Sequence, residues 1–355
     1  MPHLIPRTPL GDTGIHIPRL IIGTSALGNL YGELPEATRE ALVEEWFRTI
    51  DTPVCIDSAG KYGAGLALER IGELLARRQT DPADILISNK LGWKRVPLSG
   101  PEPTFERGVW ENLNHDAVQR IDYEGMFECF EQGNELLGER YNTQLASVHD
   151  PDEYLDAAVS TEERERRFGQ VIDAYRALGE LQAEGRISAV GIGAKDWQVI
   201  REVAERIDLD WVMLATSWTI YSHPPELLSF MEELRRAGVF IINSAVFHSG
   251  FLVGGSYFDY RPVSATRDHQ LYAWREKFFS VCSQFEVRPV DACVEFALAP
   301  AAVKAIALNS SKPERIADNV RSVRARAPRE FWNRLAESGL IATGPEQLSP
   351  DQLEL

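Results

Sequence analysis

The stretch CIDSAGKYGAGLALERIGELL, residues 55–75, places an aspartate, a lysine and a tyrosine within six positions, after a short apolar run and ahead of a helical pattern. Two more polar residues close apolar runs of the same kind: Lys90 ends DILISNK (84–90), and His149 lies at the end of LASVHD (145–150). A tyrosine phenol has an unperturbed pKa of about 10, so near neutrality it needs help as an acid or base. A neighbouring ammonium favours the phenolate, and a carboxylate paired with that ammonium keeps it charged despite burial. An imidazole can donate to a carbonyl oxygen and fix its orientation. Asp57, Tyr62, Lys90 and His149 together therefore suit proton transfer to or from an alcohol or carbonyl oxygen, coupled to a change at carbon. Taken singly, each has an ordinary structural explanation. Asp57 reads as a cap, Tyr62 as a core aromatic with a wet hydroxyl, Lys90 as a surface lysine and His149 as a packed imidazole. What sets them apart is their shared position at the ends of three successive apolar runs.

Those runs belong to a regular series: 19–24, 54–57, 84–90, 145–150, 187–193, 211–216, 239–244 and 303–310. Most are separated by segments with helical periodicity, such as LALERIGELLARR and PELLSFMEELRRAG. Continuously apolar strands alternating with amphipathic helices indicate a parallel sheet buried on both faces. Eight such units predict the α/β class and a (β/α)8 TIM barrel, in which polar residues at the carboxyl ends of the strands face the active-site mouth. A doubly wound open sheet fits less well, because GTSALGNLYG after the first strand lacks the G-x-G-x-x-G spacing. Long loops are expected after the third strand (92–123) and after the seventh (247–270). No internal repeat or low-complexity segment interrupts the series, which predicts a single domain over 1–355.

The acidic balance narrows the partners. Against 37 basic residues stand 53 acidic ones, a net charge of −16, which repels phosphate backbones and anionic membrane surfaces. Basic clusters such as RERRF (164–168) are interleaved with acids and read as a solvated, ion-paired helix face. Neither a membrane-length apolar run nor a signal-peptide pattern is present, so the expected address is the cytoplasm. Cys55, Cys129, Cys282 and Cys293 form no C-x-x-C and read as small core residues. His248 and His269 have no partners at metal-binding spacing, and no metal is expected.

With Asp57 and Tyr62 in IDSAGKYG, Lys90 in ISNKLG and His149 in SVHDPD, the sequence resembles the aldo-keto reductases from about Pro9 to about Val320. PLGDTGIHIPRLIIGT is similar to that family's N-terminal hairpin and first strand, and GTSALGNLYG and SVHDPDEY are most like its fucose, D-arabinose or galactose-type aldose 1-dehydrogenases. The resemblance implies hydride transfer between NAD or NADP and a carbonyl carbon, with the tyrosine moving the proton. It places Ser310, Arg315 and Asn319 on adenosine-phosphate positions, and Ser244, Gly250 and Leu252 in the loop over the pyrophosphate. Asn309 stands where the family has an NADP-binding lysine, which shifts the expectation slightly towards NAD. Trp218 falls where an aromatic stacks on the nicotinamide; Gly193 and Ala215 depart from the carboxamide-binding pattern, leaving Lys195 as a candidate. Tyr31 and Trp93 are candidate substrate contacts. The implied partner is a small sugar or carbonyl compound, with oligomeric state open. Two other readings are a reductase of non-sugar aldehydes or ketones and a cofactor-binding regulatory barrel with little turnover.

Overall fold

Each of the eight apolar runs forms a strand whose two edges are both taken up by parallel neighbours, which is what a buried strand without polar alternation requires. The structure, a computed structural model, describes residues 4–348. The strands are β1 (Leu20–Gly23), β2 (Val54–Ala59), β3 (Ile85–Leu91), β4 (Leu145–His149), β5 (Ala189–Ala194), β6 (Trp211–Ala215), β7 (Phe240–Ser244) and β8 (Val303–Asn309). They pair in sequence order and close into a barrel, the TIM fold expected from the sequence.

The register brings the polar strand ends to one level. Gly23 pairs with Asp57, Ala59 with Lys90, His149 with Gly193, Ala215 with Ser244 and Asn309 with Gly23. Below that level the barrel is filled by side chains from the early part of the strands, among them Cys55, Leu86, Leu145, Trp211 and Phe240. The N-terminal hairpin, Arg7–Pro9 against His16–Pro18, adds Leu10 and Ile17 to the same cluster and closes the barrel opposite the strand ends. A larger apolar layer lies between the strands and the surrounding helices. All four cysteines are buried and free, and the Cys55 thiol, pushed up by burial, is interior packing.

Both long loops carry structure of their own. Within 92–123, Trp93–Pro97 pairs antiparallel with His115–Gln119, and an aromatic cluster of Trp93, Phe105 and Trp110 packs against Tyr62. Within 247–270, a turn at Phe251–Val253 precedes a short pair, Tyr257–Phe258 with Arg261–Pro262. The helices His269–Gln284 and Pro289–Ala297 between β7 and β8 did not stand out by periodicity. The first turns aromatic residues in several directions, Tyr272 to Phe251 and Trp274 to Tyr221. The second is buried without a break from Ala292 to Ala297. No helix among the described residues is long and apolar enough to cross a membrane.

Trp211, 1% exposed, is the largest side chain inside the barrel cluster. Trp211→Ala is expected to lower unfolding free energy by about 3–5 kcal/mol, because so large a cavity collapses only partly. Urea denaturation followed by circular dichroism measures it; a loss below about 1 kcal/mol would mean that the barrel interior is not close-packed there.

Candidate active site

At the carboxyl end of the barrel a cleft of about 540 Å³ is lined by Asp57, Tyr62, Lys90 and His149 together. Asp57 and Lys90 are each 3% exposed and form an ion pair, and the Ser88 hydroxyl donates to the second Asp57 oxygen at 3.2 Å. The lysine chain crosses the barrel past Gly193, where a β-carbon would stand 3.2 Å from Lys90 Cδ. The ammonium ends 4.7 Å from the centre of the Tyr62 ring. Tyr62 itself is set by a close backbone approach. At Gly63, with φ +62°, a β-carbon would lie 2.3 Å from the Gly28 carbonyl oxygen, so the tyrosine loop docks directly on the turn Ser25–Gly28. His149 meets the same ring edge-on, with ring centres 5.8 Å apart.

The electrostatics differ from the simple expectation that a lysine lowers the phenol's pKa. Burial pushes Tyr62 well above its ordinary value, Asp57 and Asp150 push it further, and Lys61 only opposes them. The Asp57 carboxylate, though paired with Lys90, still favours the protonated phenol. Tyr62 is therefore a protonated donor at neutral pH. Burial likewise holds His149 well below the usual imidazole range, with Asp150 opposing and Lys90, Lys61 and Lys195 reinforcing it. The imidazole is neutral and able to hydrogen-bond an uncharged oxygen.

A second charged group shares the cleft, centred on the lysine of the 55–75 stretch, for which the sequence pattern predicts no role. Lys61, 3% exposed, reaches Glu153 at 2.7 Å, Asp150 at 2.9 Å and Glu106 at 3.0 Å. Burial alone would strip its proton; the three carboxylates more than reverse that and keep it charged. Asp150 stands 3.5 Å from His149 Nε2. Adjacency was the available signal, since Lys61 precedes Tyr62 and Asp150 follows His149.

At its other end the cleft is lined by Ser310, Lys312, Arg315 and Asn319, around the start of the helix Glu314–Ser322. Asn319 is 6% exposed and its Nδ2 is buried without a partner, a donor awaiting an acceptor. Cations, a helix start and an orphaned amide at one end, with the proton-transfer groups at the other, fit an extended dinucleotide. Ser244 and Gly250 line the middle of the cleft, as do Lys195 and Tyr31. Lys195 is engaged by Glu153 and lies 4.8 Å over the Tyr260 ring. Tyr31 stacks on Tyr257 and donates to Ser249, and burial raises its phenol to about 12.

Three expectations are corrected. Trp218, 2% exposed, does not face the cleft; its ring stacks on Phe296 because the chain turns back into the core after β6. Met213, Ala215 and Thr216 form that wall instead. Leu252 is fully buried in the apolar layer, so only Gly250 of that segment lines the cleft. Trp93 packs behind Tyr62 against Phe105 and under the Lys61 ammonium, away from the cleft surface. No group of three His, Cys, Asp or Glu side chains placed to hold a metal occurs among the described residues.

Comparisons with known proteins give the family from sequence and the fold from structure. The sequence model described as Aldo/keto reductase family matches residues 19–339. A pyridoxal 4-dehydrogenase from Microbacterium luteolum is 29% identical over 94% of this chain and 97% of its own. A D-threo-aldose 1-dehydrogenase from a Pseudomonas species is 28% identical over 93% of this chain and 96% of its own. An aldo-keto reductase from Bacillus halodurans, 20% identical, superposes with a TM-score of 0.67 over 97% of this chain and 99% of its own, which shows the shared fold.

The buried neutral imidazole has a pH consequence. Below about pH 6.5 the unfolded chain takes up a proton at His149 that the folded protein does not. Stability from this group is thus complete above that pH and is lost as pH falls. Asp152, raised to about 6 by burial and then by Asp150, works in the opposite direction. The difference between wild type and His149→Gln isolates the histidine: the variant should show a shallower loss of stability from pH 6.5 to 5, by up to about 1.4 kcal/mol per pH unit. Parallel denaturation curves from the two proteins across that range would show that His149 is not buried neutral.

Proposed function

The chain belongs to the aldo/keto reductase family and is an oxidoreductase, and we propose that it is a dehydrogenase of the aldose type, acting between a nicotinamide dinucleotide and C1 of a sugar. The observation that carries this reading is the gathering of Asp57, Tyr62, Lys90 and His149 in one cleft whose far end offers Arg315 and the unpaired amide of Asn319. The bound nicotinamide supplies or accepts the hydride. Tyr62, protonated at neutral pH, gives its proton to the carbonyl oxygen in reduction and takes it from the C1 hydroxyl in oxidation. Neutral His149 holds that oxygen in line. The Asp57–Lys90 pair holds an ammonium 4.7 Å from the centre of the phenol ring. Glu106, Trp110, Tyr31 and Tyr260 surround the outer part of the cleft, a mixture of acceptors and flat faces that suits a sugar.

Either dinucleotide has a basis here. Asn309 supplies no cation and its amide is tied to Ser25 at 2.9 Å, which favours NAD. Lys312 and Arg315 line the same end and can meet a 2′-phosphate. We take NAD as the preferred form. One domain and a cytoplasmic address, with a small molecule as partner and neither nucleic acid nor membrane, complete the proposal. A non-sugar aromatic aldehyde is the second reading, favoured by the rings at the mouth and by the relative named for pyridoxal.

Initial rates with a panel of aldoses and aromatic aldehydes, using NAD and NADP in parallel, test the proposal. Oxidation of one neutral aldose with NAD at least tenfold better than any other pairing is expected; turnover confined to aromatic aldehydes would overturn it. Tyr62→Phe should lower turnover by about 10²–10⁴-fold while leaving dinucleotide affinity, read by fluorescence quenching, unchanged. Because burial raises the phenol's pKa, reduction should stay flat from pH 6 to 9 and oxidation should rise with pH over that range. A fall in oxidation rate from pH 7 to 9 would contradict the role of Tyr62.

A further inference from the structure

Lys61 looks at first like an anchor for an anionic substrate, since it is a buried cation lining the cleft beside Tyr62 and His149. Its chemistry says otherwise. An ammonium has three N–H donors, and three carboxylates surround this one, at 2.7 Å, 2.9 Å and 3.0 Å. Asp150 and Glu153 accept hydrogen bonds from it and Glu106 closes its third side, so an added phosphate or carboxylate would meet three anions. Lys195, the other ammonium on this wall, is held by Glu153. Two positive charges, Lys61 and Lys195, thus face three negative ones, Asp150, Glu153 and Glu106, leaving the cluster one charge negative. What the wall presents to a substrate is carboxylate lone pairs.

The placement of Asp150 makes this specific. The residue follows His149 directly and takes a left-handed backbone, φ 48°, which brings its carboxylate to 3.5 Å from His149 Nε2. A substrate whose reacting oxygen is held by His149 therefore puts its neighbouring carbon next to Asp150. We propose that Asp150 accepts a hydrogen bond from the hydroxyl on the carbon adjacent to the reacting one, and that the cluster centred on Lys61 selects neutral, hydroxyl-bearing substrates and rejects their phosphorylated or carboxylated forms. The inference rests on the oxidoreductase reading above and adds a substrate class to it. A carboxylate acceptor is worth more than a neutral one, and a like charge placed opposite an anion is an effective rejection device.

Three aldehydes separate the possibilities when reduced with the nicotinamide in its hydride-carrying form: glyceraldehyde, propanal, which lacks the hydroxyl, and glyceraldehyde 3-phosphate, which adds the anion. In the wild type, kcat/KM for glyceraldehyde should exceed both others by about tenfold or more, the value of a hydrogen bond to a charged group. Asp150→Asn should bring glyceraldehyde and propanal to within about threefold of each other. Glu106→Gln, at a residue on the outer edge of the cluster, should relieve rejection of the phosphate by roughly tenfold while keeping the preference for glyceraldehyde over propanal. It serves as the independent variant if Asp150→Asn folds poorly. Propanal or the phosphate turned over as well as glyceraldehyde by the wild type would overturn the inference and leave the oxidoreductase reading standing. Variants that leave both ratios unchanged would do the same. Failure to reduce any of the three and every aldose of the panel would overturn the reading itself.

Discussion

The ion pair between Asp57 and Lys90 is the interaction on which the site depends. Two charges inside a barrel are costly to bury and are tolerated only when geometry and hydrogen bonds answer both of them. The barrel meets that demand through register. Asp57 pairs with Gly23 on one side, its carbonyl receives Thr24 N–H and hydroxyl bonds at 3.1 Å and 2.9 Å, and Ser88 fills its second oxygen. Lys90 reaches it across a wall kept open by Gly193. A one-residue slip between β2 and β3 would turn Asp57 out of the barrel, so fold and chemistry are specified together.

Each member of that pair acts on a neighbouring group. Burial keeps the proton on Tyr62, with Asp57 adding to it, and keeps His149 uncharged, with Lys90 adding to it. The inner site is then a donor phenol and a neutral imidazole beside the Asp57–Lys90 pair, and the Lys61 cluster borders it through Asp150, 3.5 Å from His149 Nε2. The groups proposed for proton transfer and for substrate recognition thus meet at Asp150. The loop that carries Tyr62 belongs to both, with Lys61 as the preceding residue.

Much of this was legible in the sequence, for a physical reason. Buried parallel strands are continuous apolar runs, and a polar residue closing such a run has few places to go except the mouth; Asp57, Lys90 and His149 are found by that rule alone. Arg315, Ser310 and Asn319 were legible through resemblance, and all three line the cleft. Direction was not legible. Trp218, Leu252 and Trp93 lie close along the chain to cleft residues, yet loop conformation turns them into apolar layers. The Lys61 cluster was hidden for a different reason. Its carboxylates come from separate segments, Glu106 in the loop after β3 and Asp150 with Glu153 after β4, so no spacing announces them. The helices after β7 were hidden because burial on several faces erases amphipathic periodicity.

The central claim is that Asp57 and Lys90 act as one neutral unit, and a double-mutant cycle on kcat/KM tests it most directly. Asp57→Asn and Lys90→Met should each lower kcat/KM by about 10²-fold or more, and the double variant should lose no more than the worse single one, as residues that act as a unit do. If the two losses multiply in the double variant, the residues contribute independently, and the account of Asp57 and Lys90 as one unit is wrong.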